Sequence, residues 1–297
     1  MTTAPVSGDE AIDRAAIRAF TEEFGDRATR LPPVAIVIAA FNEEGAIGPV
    51  VESLPVTVAG LGAVTIVVSD GSVDATIKEA REAGALVCDV PVNRGQGAAL
   101  RLGYRLAREG GARSIVTTDA DGQYTPAEIE SLIAPILAGQ ADFVTGSRTL
   151  GSEETKDPVR KLGVRVFALT ISVLTGQRIS DTTFGLRAMR AEVTGAVLLE
   201  QPQYQASELL IGVITHGFRV AERPATIHRR QVGRSKKGNN ALYALSFAKV
   251  VFGTWWRERR RRGRGNAARR AGGESGAPGQ LAAGVLANDR GGARAGD

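Results

Sequence analysis

The feature that most restricts the fold of this chain is an alternation that begins at Val34, where short valine- and isoleucine-rich runs are separated by stretches with helical spacing. Val34 to Ala40, Val64 to Ser69, Ala85 to Val90, Ser114 to Asp119 and Asp142 to Gly146 are short, continuously apolar runs and read as buried strands. The stretches near 43–58, 73–83, 96–109 and 126–138 read as helices. Strand and helix in this repeating order predict an α/β fold: a mostly parallel sheet with helices on both faces, since parallel neighbours need a crossover long enough to hold a helix. Ligands of such sheets bind beyond the carboxyl ends of the strands. The chemistry is therefore sought in the loops that follow the strands.

Past residue 150 the pattern is less regular. Lys161 to Leu174 and Ala206 to Thr215 have helical spacing, while Phe218 to Glu222 and Ala225 to Arg229 read as a strand pair turning at Pro224. The expected organisation is an amphipathic, flexible segment over 1–30, an α/β domain over 31–240, an amphipathic helix over 241–257, and an Arg/Gly/Ala-rich tail over 258–297. Residues 1–30 and 258–297 are expected to lie outside the fold.

Composition narrows the chemistry. One cysteine, Cys88, excludes an internal disulfide and a cysteine metal cluster. Two histidines, His216 and His228, do not make a zinc site, so a bound metal would be a hard cation held mainly by oxygen. Both read as structural. Of the +5 formal charge, residues 257–297 hold +6, from ten Arg against Glu258, Glu274, Asp289 and Asp297, and residues 1–256 hold −1. The basic character belongs to the tail, so the folded part gives no support to nucleic-acid binding. The tail reads as a solvated, disordered end or as a contact for an anionic membrane surface.

The first ten residues are polar and do not have the pattern of a secretory signal. The most apolar stretch, Ala241 to Trp256, is broken by Lys249 and falls short of the roughly 20 residues that cross a bilayer. Tyr243, Phe247, Phe252, Trp255 and Trp256 followed by Arg257 suit a helix lying in the headgroup region, and the same spacing suits a last core helix.

Four loops carry candidate chemistry. Ala40-Phe41-Asn42-Glu43 and Ser69-Asp70-Gly71-Ser72-Val73-Asp74 offer an aromatic for stacking and a carboxylate for the N–H donors of a nucleobase; Asn42, Asp70 and Ser72 are equally suited to capping helices. Asp119-Ala120-Asp121-Gly122-Gln123 places two carboxylates at i and i+2 of an extended segment, on one side, where they can share a divalent cation; an Asx turn is the plainer alternative. Asn93-Arg94-Gly95-Gln96-Gly97-Ala98-Ala99 lacks the third glycine of a dinucleotide fingerprint and reads as a turn allowing close backbone packing.

These blocks, with Gly146-Ser147-Arg148, Asp181-Thr182-Thr183-Phe184-Gly185-Leu186-Arg187 and Arg230-Gln231-Val232-Gly233-Arg234-Ser235-Lys236, stand in an order that resembles the family 2 glycosyltransferases of the GT-A fold, and among them the dolichol- or polyprenol-phosphate sugar transferases. The resemblance runs from about Val34 to Lys236. It implies that Phe41, Glu43 and Asp70 hold the base and ribose of a nucleoside-diphosphate sugar, with Ala40, Gly97 and Ala120 in the same donor-binding set. It implies Mg²⁺ or Mn²⁺ on Asp119 and Asp121 with Gln123 beside them, Arg148, Arg230 and Lys236 on donor diphosphate or acceptor phosphate, and Asp181, Thr183 and Arg187 on the acceptor side. Phe41 replaces the commoner Tyr, Ser69 a second Asp, Gln96 a frequent Lys and Leu186 a usual Phe; none of these touches the metal pair.

The implied activity is inverting, metal-dependent sugar transfer to a polyprenyl phosphate. The implied location is peripheral, at the cytoplasmic face of the cell membrane, and a separate integral membrane protein would substitute for the spanning helices that many relatives append. A saccharide hydroxyl acceptor would instead need a carboxylate base, for which Asp181 and Glu208 are the candidates. A non-catalytic nucleotide-sugar binding subunit and a nicotinamide-dependent oxidoreductase are the rival functions. The glycines at 233 and 238 predict a mobile loop carrying Arg230 and Lys236 over the diphosphate.

Overall fold

The computed structural model describes residues 8–154, 158–201, 205–229 and 248–260. In chain order the elements are α1 (Gly8–Phe24), α2 (Asp26–Thr29), β1 (Val34–Ala40), α3 (Ile47–Ser53), β2 (Thr57–Val58), β3 (Leu61–Asp70), α4 (Thr76–Glu82), β4 (Leu86–Val90), α5 (Gln96–Glu109), β5 (Ser114–Asp119) and α6 (Glu128–Leu137). They continue with β6 (Phe143–Glu153), α7 (Pro158–Thr175), β7 (Arg187–Arg190), α8 (Ala191–Ala196), α9 (Gln205–Thr215) and β8 (Val220–Ile227). A last helix covers 248–260. Residues up to Glu258 make one unit; of the segment after it only Arg259 and Arg260 are described.

The first five predicted strands are present, and β1, β3, β4 and β5 pair in parallel as their crossover helices require. Side chains alternate between two cores. Val34, Ile36 and Ile38 of β1 face the core beneath α3, α4 and α6, while Ala35 and Val37 face the one beneath α1 and α5. Register then decides what meets at the carboxyl rim: Ala40 stands beside Ser69, and Ala39 beside Asp119. All four loops singled out above leave the sheet at that rim for the same reason, the glycine turn included, since Val90 stands beside Asp70.

Four expectations are corrected. The stretch 43–58 is not one helix: α3 stops at Ser53 because Leu54 precedes Pro55 and takes an extended conformation, φ −76° and ψ 141°. The chain then forms a two-residue hairpin, β2 against β3, with positive φ at both Ala59 and Gly60. Second, β7, which the apolar pattern did not mark, inserts antiparallel between β5 and β6 and makes the sheet mixed. Third, residues 220–227 form a single strand parallel to β6 rather than a pair. Pro224 is tolerated within it because β8 ends the strand order and needs no second partner.

Fourth, residues 8–30 belong to the domain. The apolar stripe of α1 buries Ala16 and Phe20 in the core at β4, and Ala28 and Leu31 continue it. The helix at 248–260 packs as a last core helix does: Val251 and Thr254 are buried and Trp255 Nε1 donates to Leu174 O at 2.8 Å, while Phe252 and Trp256 stay about half exposed. Tyr243 and Phe247 lie outside the described residues.

Candidate functional site

At the carboxyl rim the loops after β1 and β3 are stitched to each other. Asn42, held at φ 52°, accepts from Val73 N through Oδ1 at 3.0 Å, and its own amide donates to Ser72 Oγ at 3.1 Å. Glu43 N donates to Thr76 Oγ1 at 2.8 Å and Gly45 N to Glu79 Oε2 at 2.8 Å. Neither α3 nor α4 has a side-chain bond from its N-cap residue, Ala46 or Ala75. Asn42 and Ser72 therefore join two loops instead of capping helices. Phe41 and Glu43 are partly exposed on the rim so formed.

Asp70 sits deeper. It is 2% exposed, and its carboxylate accepts Arg94 N at 3.0 and 3.1 Å and Gly95 N at 2.7 Å. Burial raises its pKa, and the amide bonds from Arg94 and Gly95 pull the other way. Asp70 thus ties the glycine turn to β3. Gly71, at φ 77°, permits the approach: a Cβ there would stand 2.6 Å from Asn93 N. The same turn sends Gln96 Nε2 to Asp119 Oδ1 at 3.2 Å, so this departure from the family pattern does touch the predicted metal pair, against expectation, and Gly97 is buried in the first turn of α5.

Asp119 and Asp121 border a cavity of about 430 Å³ whose other walls include Val50, Tyr124, Leu186 and His228. Gln123 N donates to Asp121 Oδ1 at 3.1 Å, so the Asx turn exists and the carboxylates still line the cavity. The Gln123 side-chain amide turns away, donating to His228 O at 2.8 Å. Gly185 is required opposite: a Cβ there would collide with Asp119 Oδ2 and Tyr124 Oη, and its own N–H donates to that hydroxyl at 2.9 Å. Burial, reinforced by Asp119, raises the Tyr124 pKa well above its ordinary value, so the phenol stays protonated. Among the described residues no group of three or more His, Cys, Asp or Glu can hold a metal. The pair nevertheless fits a hard divalent cation, which takes one or two carboxylates and completes its shell with phosphate oxygens and water.

A second cluster lies at the end of β6. Arg148 Nε donates to Asp181 Oδ2 at 2.6 Å and Nη2 to Thr183 Oγ1 at 3.2 Å, and the guanidinium lies 5.6 Å from the centre of the Phe184 ring. Asp181 is fully buried; Arg148 N also reaches its Oδ2, and Thr183 N its Oδ1. Glu222 accepts from the amides of Ser180 and Asp181 and fixes the segment from outside. Arg148 Nη1 is buried without a hydrogen-bond partner, beside a cavity of about 260 Å³ lined also by Thr149, Glu153, Lys161 and Arg165.

Of the site candidates among the described residues, Asp119, Asp121 and Arg148 line the two cavities; Ala40, Phe41, Glu43, Asp70, Gly97, Ala120, Gln123 and Asp181 line neither, and Arg187 and Glu208 serve the fold. Arg187 is buried, donating to Gly185 O at 3.3 Å and to Gln205 Oε1 at 3.4 Å, where it braces the 181–187 segment. Glu208 accepts from Glu200 N, Gln201 N and Arg257 and serves the fold. Arg230 and Lys236 lie outside the described residues. Sequence reasoning missed Tyr124 and Glu222, and took His228, a cavity wall bonded to Thr125 Oγ1 at 2.8 Å, for a bystander. No local pattern marks these residues, since each reaches the site by pairing across the sheet.

The comparisons agree with this geometry. The family model described as glycosyl transferase family 2 matches residues 35–198. The chain is 32% identical over 208 residues to a dolichyl-phosphate hexose transferase of Haloferax volcanii, covering 68% of this chain and 86% of that one. It is 32% identical over 210 residues to the polyprenol monophosphomannose synthase of Mycolicibacterium smegmatis, covering 67% and 79%. Glucosyl-3-phosphoglycerate synthase of Mycobacterium tuberculosis, solved with Mg²⁺ and uridine diphosphate, shares the GT-A fold at TM-score 0.59, with 22% identity over 80% of this chain and 83% of that one. A nicotinamide oxidoreductase is thereby excluded: the chain belongs to glycosyl transferase family 2.

Proposed function

We propose that this enzyme moves a sugar from a nucleoside diphosphate to a polyprenyl phosphate at the membrane surface, with inversion at the anomeric carbon. One observation carries the choice of acceptor: an exposed apolar helix face leads to a cationic cavity. Leu162, Val166, Leu169 and Val173 recur at helical spacing along α7 and are 50–74% exposed, and α7 contains no Asp or Glu. At its beginning Lys161 and Arg165 meet Arg148 in the smaller cavity, while Phe252 and Trp256 extend outward from the helix that Trp255 ties to Leu174. Apolar residues beside cations are how a protein meets an anionic headgroup layer. A lipid phosphate supplies both complements at once. The names of the relatives from Haloferax volcanii and Mycolicibacterium smegmatis, which specify dolichyl phosphate and polyprenol, support the same acceptor class.

The residues divide the work as follows. Phe41 and Glu43 receive base and ribose at the rim, while Asp70, with Gly71 and Gly97, keeps the glycine turn in place beside them. Asp119 and Asp121, flanked by Ala120, would hold Mg²⁺ or Mn²⁺, whose role when bound is to offset the charge of the departing diphosphate. Arg148 faces the acceptor phosphate through Nη1, and Asp181 and Thr183 fix its guanidinium. Arg230 and Lys236, which lie outside the described residues, would contact the diphosphate. A phosphate monoester is already largely ionised near pH 7, so its oxygen attacks the anomeric carbon without a general base as the bond to the diphosphate breaks. The saccharide-acceptor alternative needs a carboxylate able to take a proton. Asp181 and Glu208 are both buried, with their oxygens engaged by amides and arginines, which favours the phosphate acceptor.

No helix among the described residues is long and apolar enough to cross a membrane; the exposed apolar face of α7 beside Lys161 and Arg165 supports the peripheral attachment we propose at the inner face, with a separate integral membrane protein as partner. The test is a transfer assay on the purified chain with Mn²⁺ or Mg²⁺, a panel of UDP- and GDP-sugars, and polyprenyl phosphate in vesicles against free saccharides. A glycolipid product is expected. Transfer to saccharides alone would reject the lipid acceptor.

A further inference from the structure

The helix that opens the chain is joined to the sheet rim by a buried charge. Arg94, in the turn between β4 and α5, sends Nη2 to Asp13 Oδ1 of α1 at 2.7 Å and Nη1 to Asp9 O at 3.2 Å. Both side chains of the Arg94–Asp13 pair are 8% exposed. The main chain of the same residue donates to Asp70, and two positions on Gln96 donates to Asp119. Arg94 is thus held at one end by α1 and at the other by β3, in the turn that supplies a hydrogen bond to a metal-pair carboxylate. Its Nε is buried without a hydrogen-bond partner, so the side-chain hydrogen bonds of the guanidinium run to α1, through Asp13 Oδ1 and Asp9 O.

Anchoring the helix does not require this pair. Ala16 and Phe20 already bury α1 in the core at β4, and a buried ion pair adds little net stability once desolvation is counted. What it does supply is a direction for the turn, since a planar guanidinium gripped from one side and amides gripped from the other leave the 93–97 backbone one arrangement. We propose that α1 is a positioning element of the donor site: through Arg94, Asp13 sets the turn that places Gln96 on Asp119, and so sets donor affinity. The inference rests on the donor reading of the rim given above.

The test uses the full chain with Asp13→Asn, with Asp13→Glu as the conservative rescue and Phe20→Leu as a variant that loosens α1 without touching the pair. Three readouts are compared: melting temperature, KM against kcat for the donor, and binding of a nucleoside diphosphate with Mn²⁺ by calorimetry. Asp13→Asn is expected to raise donor KM and the nucleotide Kd about 10-fold, the usual scale for losing a supporting contact behind a metal ligand, with kcat little changed. Asp13→Glu should recover most of this, Phe20→Leu should lower the melting temperature only, and amide hydrogen exchange at 94–98 should quicken in Asp13→Asn alone. If Asp13→Asn does not fold, the same KM shift is sought in Arg94→Lys. A lowered melting temperature with unchanged donor KM in every folded variant of the pair would reduce α1 to a cover and overturn the inference. A wild-type chain that binds no nucleoside diphosphate would instead overturn the donor reading, and the inference with it.

Discussion

The two halves of the sheet position chemical groups by different means. Around β1, β3 and β5 the side chains at the rim are where parallel register puts them, and bonds from backbone amides to Ser72, Thr76, Glu79 and Asp70 complete the arrangement, with the Arg94–Asp13 pair behind the glycine turn. Around β6, β7 and β8 the groups are held by a buried ion pair, Arg148 with Asp181, inside a mixed part of the sheet. The first arrangement survives loss of a rim side chain, because the backbone does the placing. The second does not, because each charge depends on its partner where both side chains are buried.

The largest effect that tests this contrast is Asp121→Ala. Transfer should fall at least about 100-fold, the scale for removing one electrostatic stabiliser, while the melting temperature stays within a few degrees of wild type. Initial rates with and without Mn²⁺ check it, and full activity in excess chelator would break the metal reading. Next comes Asp181→Ala, which strands the Arg148 cation and should destabilise the fold by about 3 kcal/mol. That is a drop of roughly 6–12 °C by calorimetry. A stable but inactive Asp181→Ala would move this residue to the catalytic side of the comparison.

A third, smaller effect sharpens the contrast at the surface. Leu169→Glu with Val173→Glu should weaken sedimentation with anionic vesicles about 10-fold and leave nucleotide binding unchanged, since both side chains point into solvent. The smallest concerns acid stability. Arg219 holds the Asp142 carboxyl down at about 2, well under its ordinary 3.8. A depressed carboxylate contributes stability that is present above its unfolded pKa and lost as pH falls through the folded one, here between about pH 4 and pH 2. Asp142→Asn should flatten that part of the unfolding profile by under about 1 kcal/mol, because Arg219 is half exposed and water screens the pair.

What could be read ahead of the structure follows the same division. Strands β1, β4 and β5 and the extent of α5 were visible because apolar periodicity is local, and the rim loops because ligands gather at strand ends. The hairpin at 57–62 was hidden inside a helical pattern, although Pro55 and Gly60 were signals for it. Strand β7 was hidden because its polar and charged residues are satisfied by neighbours far along the chain.

The sequence by itself determined the α/β class, the rim at which ligands meet, and the acidic pair at the end of the fourth predicted strand, all consequences of spacing within a few residues. Tertiary structure alone decided that Asp70 secures a turn, that Asp181 is sealed against Arg148, and that the opening helix reaches the rim through Arg94. The physical reason is that burial and charge pairing depend on residues distant in the chain, 81 positions apart for Arg94 and Asp13, and no short window of sequence contains both partners.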